Sequence, residues 1–443
     1  MASLPADDPL INFSPDFPED SIVNILKAYD FEKSKRAHAL VDPFYTIPPH
    51  SARADPGSVL KVESETDTSL YNLPPNLSLS RFIYQSYDSK GRYVPVSAYV
   101  LWPDEAVPCN GGPPVVIWAH GTSGVFHESA PSNQKDLWHH FQLPFHLALN
   151  GYVVVATDYA GLGVREDSDG TFIPHEYLMP RAQAMDISTI IPAYRTAFPT
   201  INKSFVVVGT SQGGAAVWMF AEMLACKSYP TPGYLGTIAL HPLLRLLDLP
   251  LRAPIMPLLM VMLGQSLEFH SQGFDEGFDA SNIFTTHGKE VCKVYRTSGG
   301  GNAVLFQLPH PQSILQPGWE RDAAIVRYQN WAQTGKRAFH GPMLVIQGED
   351  DPIVPAEVTK RVVNETNLLG VGKPIQYVSL PGVSHAEAMY AGQMKCLQWI
   401  SARFINAKLR SSFYTVQPLR QPASRQKETN WFISGQSFPW QQV

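Results

Sequence analysis

Three short apolar runs without polar interruption, Val115–Ala119, Tyr152–Ala156 and Phe205–Gly209, punctuate the first half of the chain. Runs of this length are the pattern of strands buried on both faces of a sheet. Helical spacing of apolar positions separates them, over Lys135–Asn150 and Ala182–Phe198, and a further helix is expected from Gln212 to about Cys226. Strands and helices in alternation predict a parallel α/β sheet. A weaker strand is expected over Gly236–Leu240. The alternation then stops from His241 to Gly341. It resumes with strands over Met343–Gln347 and Ile375–Leu380 and helices near Ala356–Thr366 and His385–Ala407. Ahead of the first run, Leu79–Asp88 and Tyr93–Leu101 alternate on either side of the turn at Ser89–Gly91, which predicts an antiparallel hairpin.

The same pattern divides the chain. Residues 1–78 form an irregular, Pro-rich lead-in with one short helical candidate, Ser21–Tyr29. Residues 79–241 and 342–410 carry the sheet, 242–341 are an insertion that mixes helical pieces with loop chemistry such as Ser298–Gly301, and 411–443 are a polar tail that wraps the surface or frays. No internal repeat is visible.

Composition narrows the function classes. Of 443 residues, 34 are Lys or Arg and 39 Asp or Glu, a net charge of −5 with no basic block, which argues against a nucleic-acid partner or an anionic-membrane footprint. Hydrophobic residues at 44% and charged residues at 16% exclude a disordered chain. Cys109, Cys226, Cys292 and Cys396 lie far apart with no metal-ligand spacing, so no zinc site is expected and buried free thiols are preferred to disulfides. His139, His140 and His146 fit no common metal spacing and read as a helix surface. The greasiest stretch, Pro254–Leu263, is about half the ~20 residues that a membrane span needs. Met1–Asp20 lacks the basic and apolar regions of a secretory signal. The expectation is a soluble cytoplasmic protein without stable membrane insertion, an exported mature form being the alternative. Its oligomeric state is not legible.

One motif carries chemistry. Gly209–Gly213 fits G-x-S-x-G, directly after an apolar strand and directly before a helix, the context of a nucleophile elbow. The serine, Ser211, would sit on a tight turn whose flanking glycines remove clashing Cβ atoms. In such a site the acid and the histidine follow the serine in chain order. His385 is the one histidine after Asp351, and it lies in a loop after a strand. Asp351 lies in the loop after Met343–Gln347; Asp350 and Glu349 compete with it, and the spacing from Gly348 to Asp351 to Val354 favours Asp351. The turn His120–Gly121–Thr122 after the first apolar run is placed to donate a backbone N–H to an oxyanion. Thr122 and Gln212 are the expected donors, with Gly121 as the alternate, and the Thr122 hydroxyl is a possible third. Asp158–Gly163, with Tyr159, is expected to shape the pocket floor and to pack beside the elbow as structural support, Tyr159 being also a candidate pocket residue. Met256 and Met260 of the insertion read first as plain core; they are also candidate pocket residues, because methionine packs adaptably against apolar ligands.

These residues resemble the α/β-hydrolase superfamily and, more narrowly, the secretory lipase (lipase A-type) family of fungi and bacteria. Asp42–Tyr45 with Pro56–Leu60, Asp158–Gly163, Gly209–Gly214, and Gly348–Asp351 with His385 carry the resemblance, over roughly residues 40 to 410. It implies an α/β-hydrolase fold, with a mostly parallel central sheet, an antiparallel N-terminal hairpin and a large, mainly helical cap inserted before the acid-bearing strand. It also implies carboxylic ester hydrolysis without metal or cofactor, and often acyl transfer. Two departures matter: no signal peptide is evident, and Thr210 stands where an aromatic residue or histidine is more usual. The first favours an intracellular fungal relative that deacylates (for example deacetylates) a secondary-metabolite ester. The alternatives are an acyltransferase using the same acyl-enzyme and a triacylglycerol lipase. A non-catalytic binding module is disfavoured by the intact Ser211, Asp351 and His385 set.

Overall fold

A computed structural model describes residues 13, 17–38, 42–48, 54–138, 142–226, 231–270, 277–369 and 373–417. Ten strands form one sheet: β1 (Val59–Glu63), β2 (Leu77–Tyr87), β3 (Tyr93–Pro103), β4 (Val115–Ala119), β5 (Val153–Thr157), β6 (Phe205–Thr210), β7 (Tyr234–Leu240), β8 (Met343–Gly348), β9 (Ile375–Leu380) and β10 (Ser412–Thr415). Their spatial order is β1-β2-β3-β5-β4-β6-β7-β8-β9-β10. The first three pairings, β1 with β2, β2 with β3 and β3 with β5, are antiparallel, and every later one is parallel.

The alternation of side chains along each strand builds two cores. From β4 and β6, Val115, Ile117, Ala119, Phe205 and Val207 face one side, while Val116, Trp118, Val206 and Val208 face the other. The first side is covered by α3 (Pro180–Ala197), α4 (Gln212–Ala225) and α10 (Ala356–Leu368), the second by α2 (Pro144–Leu149) and α11 (Glu387–Phe404). A strand buried on both faces needs no polar alternation, and each such Val or Ile contributes about 1.5–3 kcal/mol through its buried area.

A third core lies beyond the carboxyl ends of β7 and β8. Leu243, Leu246 and Val354, which leave those strands, pack there with α1 (Glu19–Ser34), the segment 177–182 and the insertion helices α5 (Met256–His270), α6 (Ala280–Ile283), α7 (Thr286–Thr297), α8 (Asn302–Leu305) and α9 (Ala323–Ala332). Among the described residues no helix is long and apolar enough to cross a membrane.

Several elements differ from the pattern-based expectation. The helix expected over Lys135–Asn150 is cut to α2: Leu137 and Trp138 stand at φ 51° and 68°, and Pro144, which has no N–H to bond, opens the helix instead of continuing one. His139 and His140 lie outside the described residues, and His146 is half-buried on α2. The lead-in is more regular than expected, since α1 extends well past Ser21–Tyr29 and β1 joins the sheet. The expected tail contributes β10, and 418–443 lie outside the described residues. β1 and β10 are half-exposed edge strands, so neither shows an apolar run. Of the four thiols expected to be buried, Cys292 and Cys396 are; Cys109 is half-buried and Cys226 exposed.

Candidate active site

The elbow follows from local geometry. β6 ends at Thr210, α4 begins at Gln212, and Ser211 joins them at φ 53° and ψ −115°. A serine in this region of backbone space costs on the order of 1–3 kcal/mol and persists only where its surroundings hold it. Here the Ser211 N–H donates to the Leu240 carbonyl at 2.9 Å, and its own carbonyl accepts from Ala215 and Leu243 at 3.1 and 3.2 Å. Glycine is obligatory beside it: a Cβ on Gly209 would fall 2.3 Å from the Gly213 carbonyl oxygen, and one on Gly213 would fall 2.1 Å from that of Ala119. The amino end of α4 adds positive partial charge near the hydroxyl.

His385, in the loop between β9 and α11, reaches Ser211 and Asp351 at once. Its Nε2 is 3.0 Å from Ser211 Oγ and its Nδ1 is 2.7 Å from Asp351 Oδ2. With the Nδ1 proton donated to the carboxylate, Nε2 is left to accept the serine hydroxyl. Asp351 is buried and held on both oxygens. Oδ1 accepts from the N–H groups of Ile353 and Val354 at 2.9 and 2.8 Å, and Oδ2 also accepts from Gln347 Nε2 at 3.0 Å. Gln347 is oriented in turn by the Thr359 hydroxyl, which donates to its Oε1 at 2.9 Å. The competitors stand elsewhere: Asp350 is exposed, and Glu349, also exposed, accepts from the Ser379 hydroxyl.

Two residues here carried no sequence signal. Gln347 looked like the end of an apolar strand. His241, at the end of β7, packs its ring against that of His385 with centroids 4.2 Å apart, and its Nε2 meets the Thr210 hydroxyl at 2.6 Å. Only the parallel register, which sets Thr210 beside Leu240, brings these positions together.

The turn after β4 lies on the other side of the serine. The Thr122 hydroxyl is 3.1 Å from the Tyr177 hydroxyl and 3.5 Å from Gln212 Oε1. Gln212 Nε2 meets His175 Nε2 at 3.2 Å, and His175 Nδ1 meets the Ala160 carbonyl at 3.0 Å. Gly121 is buried within the turn. Tyr159 supports the turn from behind and does not line a pocket: it is buried, stacks on His120 at 4.3 Å, and its hydroxyl donates to the His120 carbonyl at 2.9 Å. Burial pushes the His120 imidazole down to about 4, so the ring is neutral at pH 7. Met256 and Met260 have 0% exposure and fill the third core, the first of their two readings, and do not line a pocket. Their place on an apolar helix packed all round is the reason. Among the described residues no group of three or more His, Cys, Asp and Glu is placed to hold a metal ion.

A sequence search of curated proteins finds no match. Solved structures with a similar fold include Candida antarctica lipase A in its closed state, at 18% identity and TM-score 0.65, covering 83% of this chain and 87% of that one. They also include a rice cell wall degrading esterase, LipA, from Xanthomonas oryzae, at 16% identity and TM-score 0.62, covering 80% of this chain and all of that one. At these identities the likeness is one of fold. Residues 116–393 match the model of the alpha/beta hydrolase family, a span that holds the elbow, the acid loop and His385, and the chain belongs to that family.

Proposed function

We propose that the chain is a serine carboxylic ester hydrolase in which Ser211 is the nucleophile, His385 the general base and then acid, and Asp351 the group that orients the imidazole. One observation carries this reading: the hydrogen-bonded line from Ser211 through His385 to a doubly anchored Asp351, starting on a strained elbow at a helix amino end. In the reaction, Ser211 Oγ bonds to the ester carbonyl carbon as its proton passes to His385 Nε2. The carbonyl electrons move onto the oxygen, which the Thr122 and Gln212 N–H groups hold. The carbonyl re-forms as the alcohol leaves with the proton from His385, giving the acyl-enzyme. Water repeats the sequence through His385 and releases the acid.

The narrower substrate is a small apolar ester with a short acyl group, such as an acetylated secondary metabolite. The packing of Met256 and Met260 supports it, since a long acyl chain needs an open apolar wall and these side chains offer none. Residues 242–341 then act as a cap that sets the alcohol side.

Hydrolysis of p-nitrophenyl esters from acetate to palmitate, with Ser211→Ala alongside, tests both parts. The expected result is a peak at acetate or butyrate and a fall in kcat of about 10⁴-fold or more in the variant. A peak at palmitate would replace the narrow reading with a lipase. Wild-type protein that hydrolyses none of the series and takes up no fluorophosphonate would overturn the hydrolase reading.

A further inference from the structure

The glycine run Ser298–Gly301 has no part in the Ser211–His385–Asp351 line, yet it reaches the turn after β4. Gly301 pairs with Gly124 in an isolated antiparallel bridge. Side chains are excluded here. A Cβ on Gly300 would fall 2.3 Å from the Phe126 ring, and one on Gly301 would fall 2.7 Å from the Glu32 carboxyl carbon. The next residue, Asn302, extends its Nδ2 to the Thr122 carbonyl at 2.8 Å. The residue after that, Ala303, donates its N–H to Glu32 Oε1 at 2.6 Å. Glu32 is a buried carboxyl near the end of α1, and its burial raises its pKa while the Ala303 N–H opposes the rise. The Tyr295 hydroxyl closes the arrangement by donating to the Gly300 carbonyl.

Thr122 is therefore held on two sides by residues far away in sequence. Asn302 holds its carbonyl and Tyr177 meets its hydroxyl. A loop N–H aimed at a developing oxyanion is effective only in the right place, and a misplacement of about 1 Å can cost 10²-fold in rate. β4 ends at Ala119, so the turn needs support from outside its own strand.

We propose that Asn302 is a positioning residue for the oxyanion turn and that Glu32 supports it by anchoring the Gly299–Ala303 backbone. Catalytic competence then requires α1 and the glycine turn of the insertion to be docked on the core. This inference rests on the hydrolase reading, with Thr122 as an oxyanion donor. It also accounts for the glycine run, since glycines let the two backbones approach closely enough for a side chain as short as asparagine to reach Thr122.

The test uses the full chain with Asn302→Ala, Asn302→Asp, Glu32→Ala and Glu32→Gln. Three quantities are read: kcat and KM on the best p-nitrophenyl ester, the Ki of a trifluoromethyl ketone carrying the same acyl group, and the thermal midpoint. The ketone forms a tetrahedral adduct with the serine, so its affinity reports the oxyanion donors. Both Asn302 variants are expected to lower kcat by about 10- to 100-fold with KM within about threefold, and to weaken Ki by the same factor as kcat/KM. Glu32→Ala moves the same quantities in the same direction by less, and Glu32→Gln, which keeps an acceptor oxygen for Ala303, restores most of the loss. Folded Asn302→Ala with wild-type kcat and Ki would overturn the inference. So would a lower thermal midpoint with unchanged Ki, the signature of a purely structural contact. A wild-type protein that is inert to esters and fluorophosphonate overturns the hydrolase reading and this inference together, whereas an active wild type with indifferent Asn302 variants overturns this one alone.

Discussion

Asp351 works through its four hydrogen bonds. Two backbone N–H groups and the Gln347 amide fix the carboxylate beside His385, so in the proposed mechanism little reorganisation would be needed when the imidazole takes a proton. Asp351→Asn can keep most of this shape. Its new NH2 group, however, would favour the wrong imidazole tautomer, with the proton on Nε2 facing Ser211. The expected outcome is a fall in kcat of about 10⁴-fold with KM little changed, read by steady-state kinetics on a p-nitrophenyl ester. The spacing of Gly348, Asp351 and Val354 singles out this carboxylate among three neighbours, and the local reason is visible: the Val354 N–H is one of its donors. His241 is not legible in the same way, because it meets Thr210 across the sheet, and Gln347 reaches Asp351 only through the fold of the loop that follows its strand.

Between elements, α4 approaches the end of β4 too closely for a side chain. Gly213 lies on the first turn of α4, and an added Cβ would meet the Ala119 and His120 carbonyl oxygens at 2.1 and 2.5 Å. Backbone cannot yield as a side-chain tip can. Gly213→Ala should therefore push α4 away from β4, lowering stability by about 1–3 kcal/mol and the thermal midpoint by a few degrees. It should also reduce kcat, since the oxyanion turn continues from β4; a calorimetric scan with parallel kinetics checks both. The elements around this contact were the most legible. β4, β6 and α4 follow from apolar runs and a glycine-flanked serine. The edge strands β1 and β10 were not, because an edge strand half in water shows little hydrophobic periodicity.

Across the described residues, burial raises several carboxyl groups besides Glu32. Burial pushes Asp186, Glu176 and Glu222 up to about 7 and Asp158 to about 6, although hydroxyl and N–H donors partly offset the cost. The native pKa of each exceeds its unfolded value near 4, so the folded state binds more protons than the unfolded state between those limits. Their contribution is fully present below the unfolded value and is lost as pH rises through about 6 to 7. His120 acts in the opposite sense: its native pKa of about 4 makes its contribution present above about 6.5 and lost as pH falls. Above pH 6.5 the raised carboxyl groups continue to lose their contribution, while that of His120 is already complete. The thermal midpoint should therefore be higher at pH 6.5 than at pH 8.5. Asp186→Asn, whose oxygen can still accept from the Ala160 N–H while its NH2 donates to the Ser86 hydroxyl oxygen, should flatten that dependence and raise the midpoint at pH 8.5; melts across the range, with and without the substitution, decide it.

The alternation of strands and helices in the sheet core from β4 to β9, the elbow, and the pairing of a late carboxylate with a late histidine follow from the chain alone. Each depends on local periodicity, on turn chemistry or on the order of residues along the sequence. Folding adds what depends on distance through space. It packs Met256 and Met260 into a core rather than against an open pocket, and it sets Tyr159 behind the HG turn, hydrogen-bonded to it. It draws α1 from the lead-in into the same core as the insertion helices, and it carries Asn302 to Thr122 across 180 residues of chain. The physical reason is the same in each case. Burial of an apolar face is non-directional, so a pattern can say that a face will be covered but not by which distant segment. A hydrogen bond is directional and short, and its partner is known only once the backbones have met.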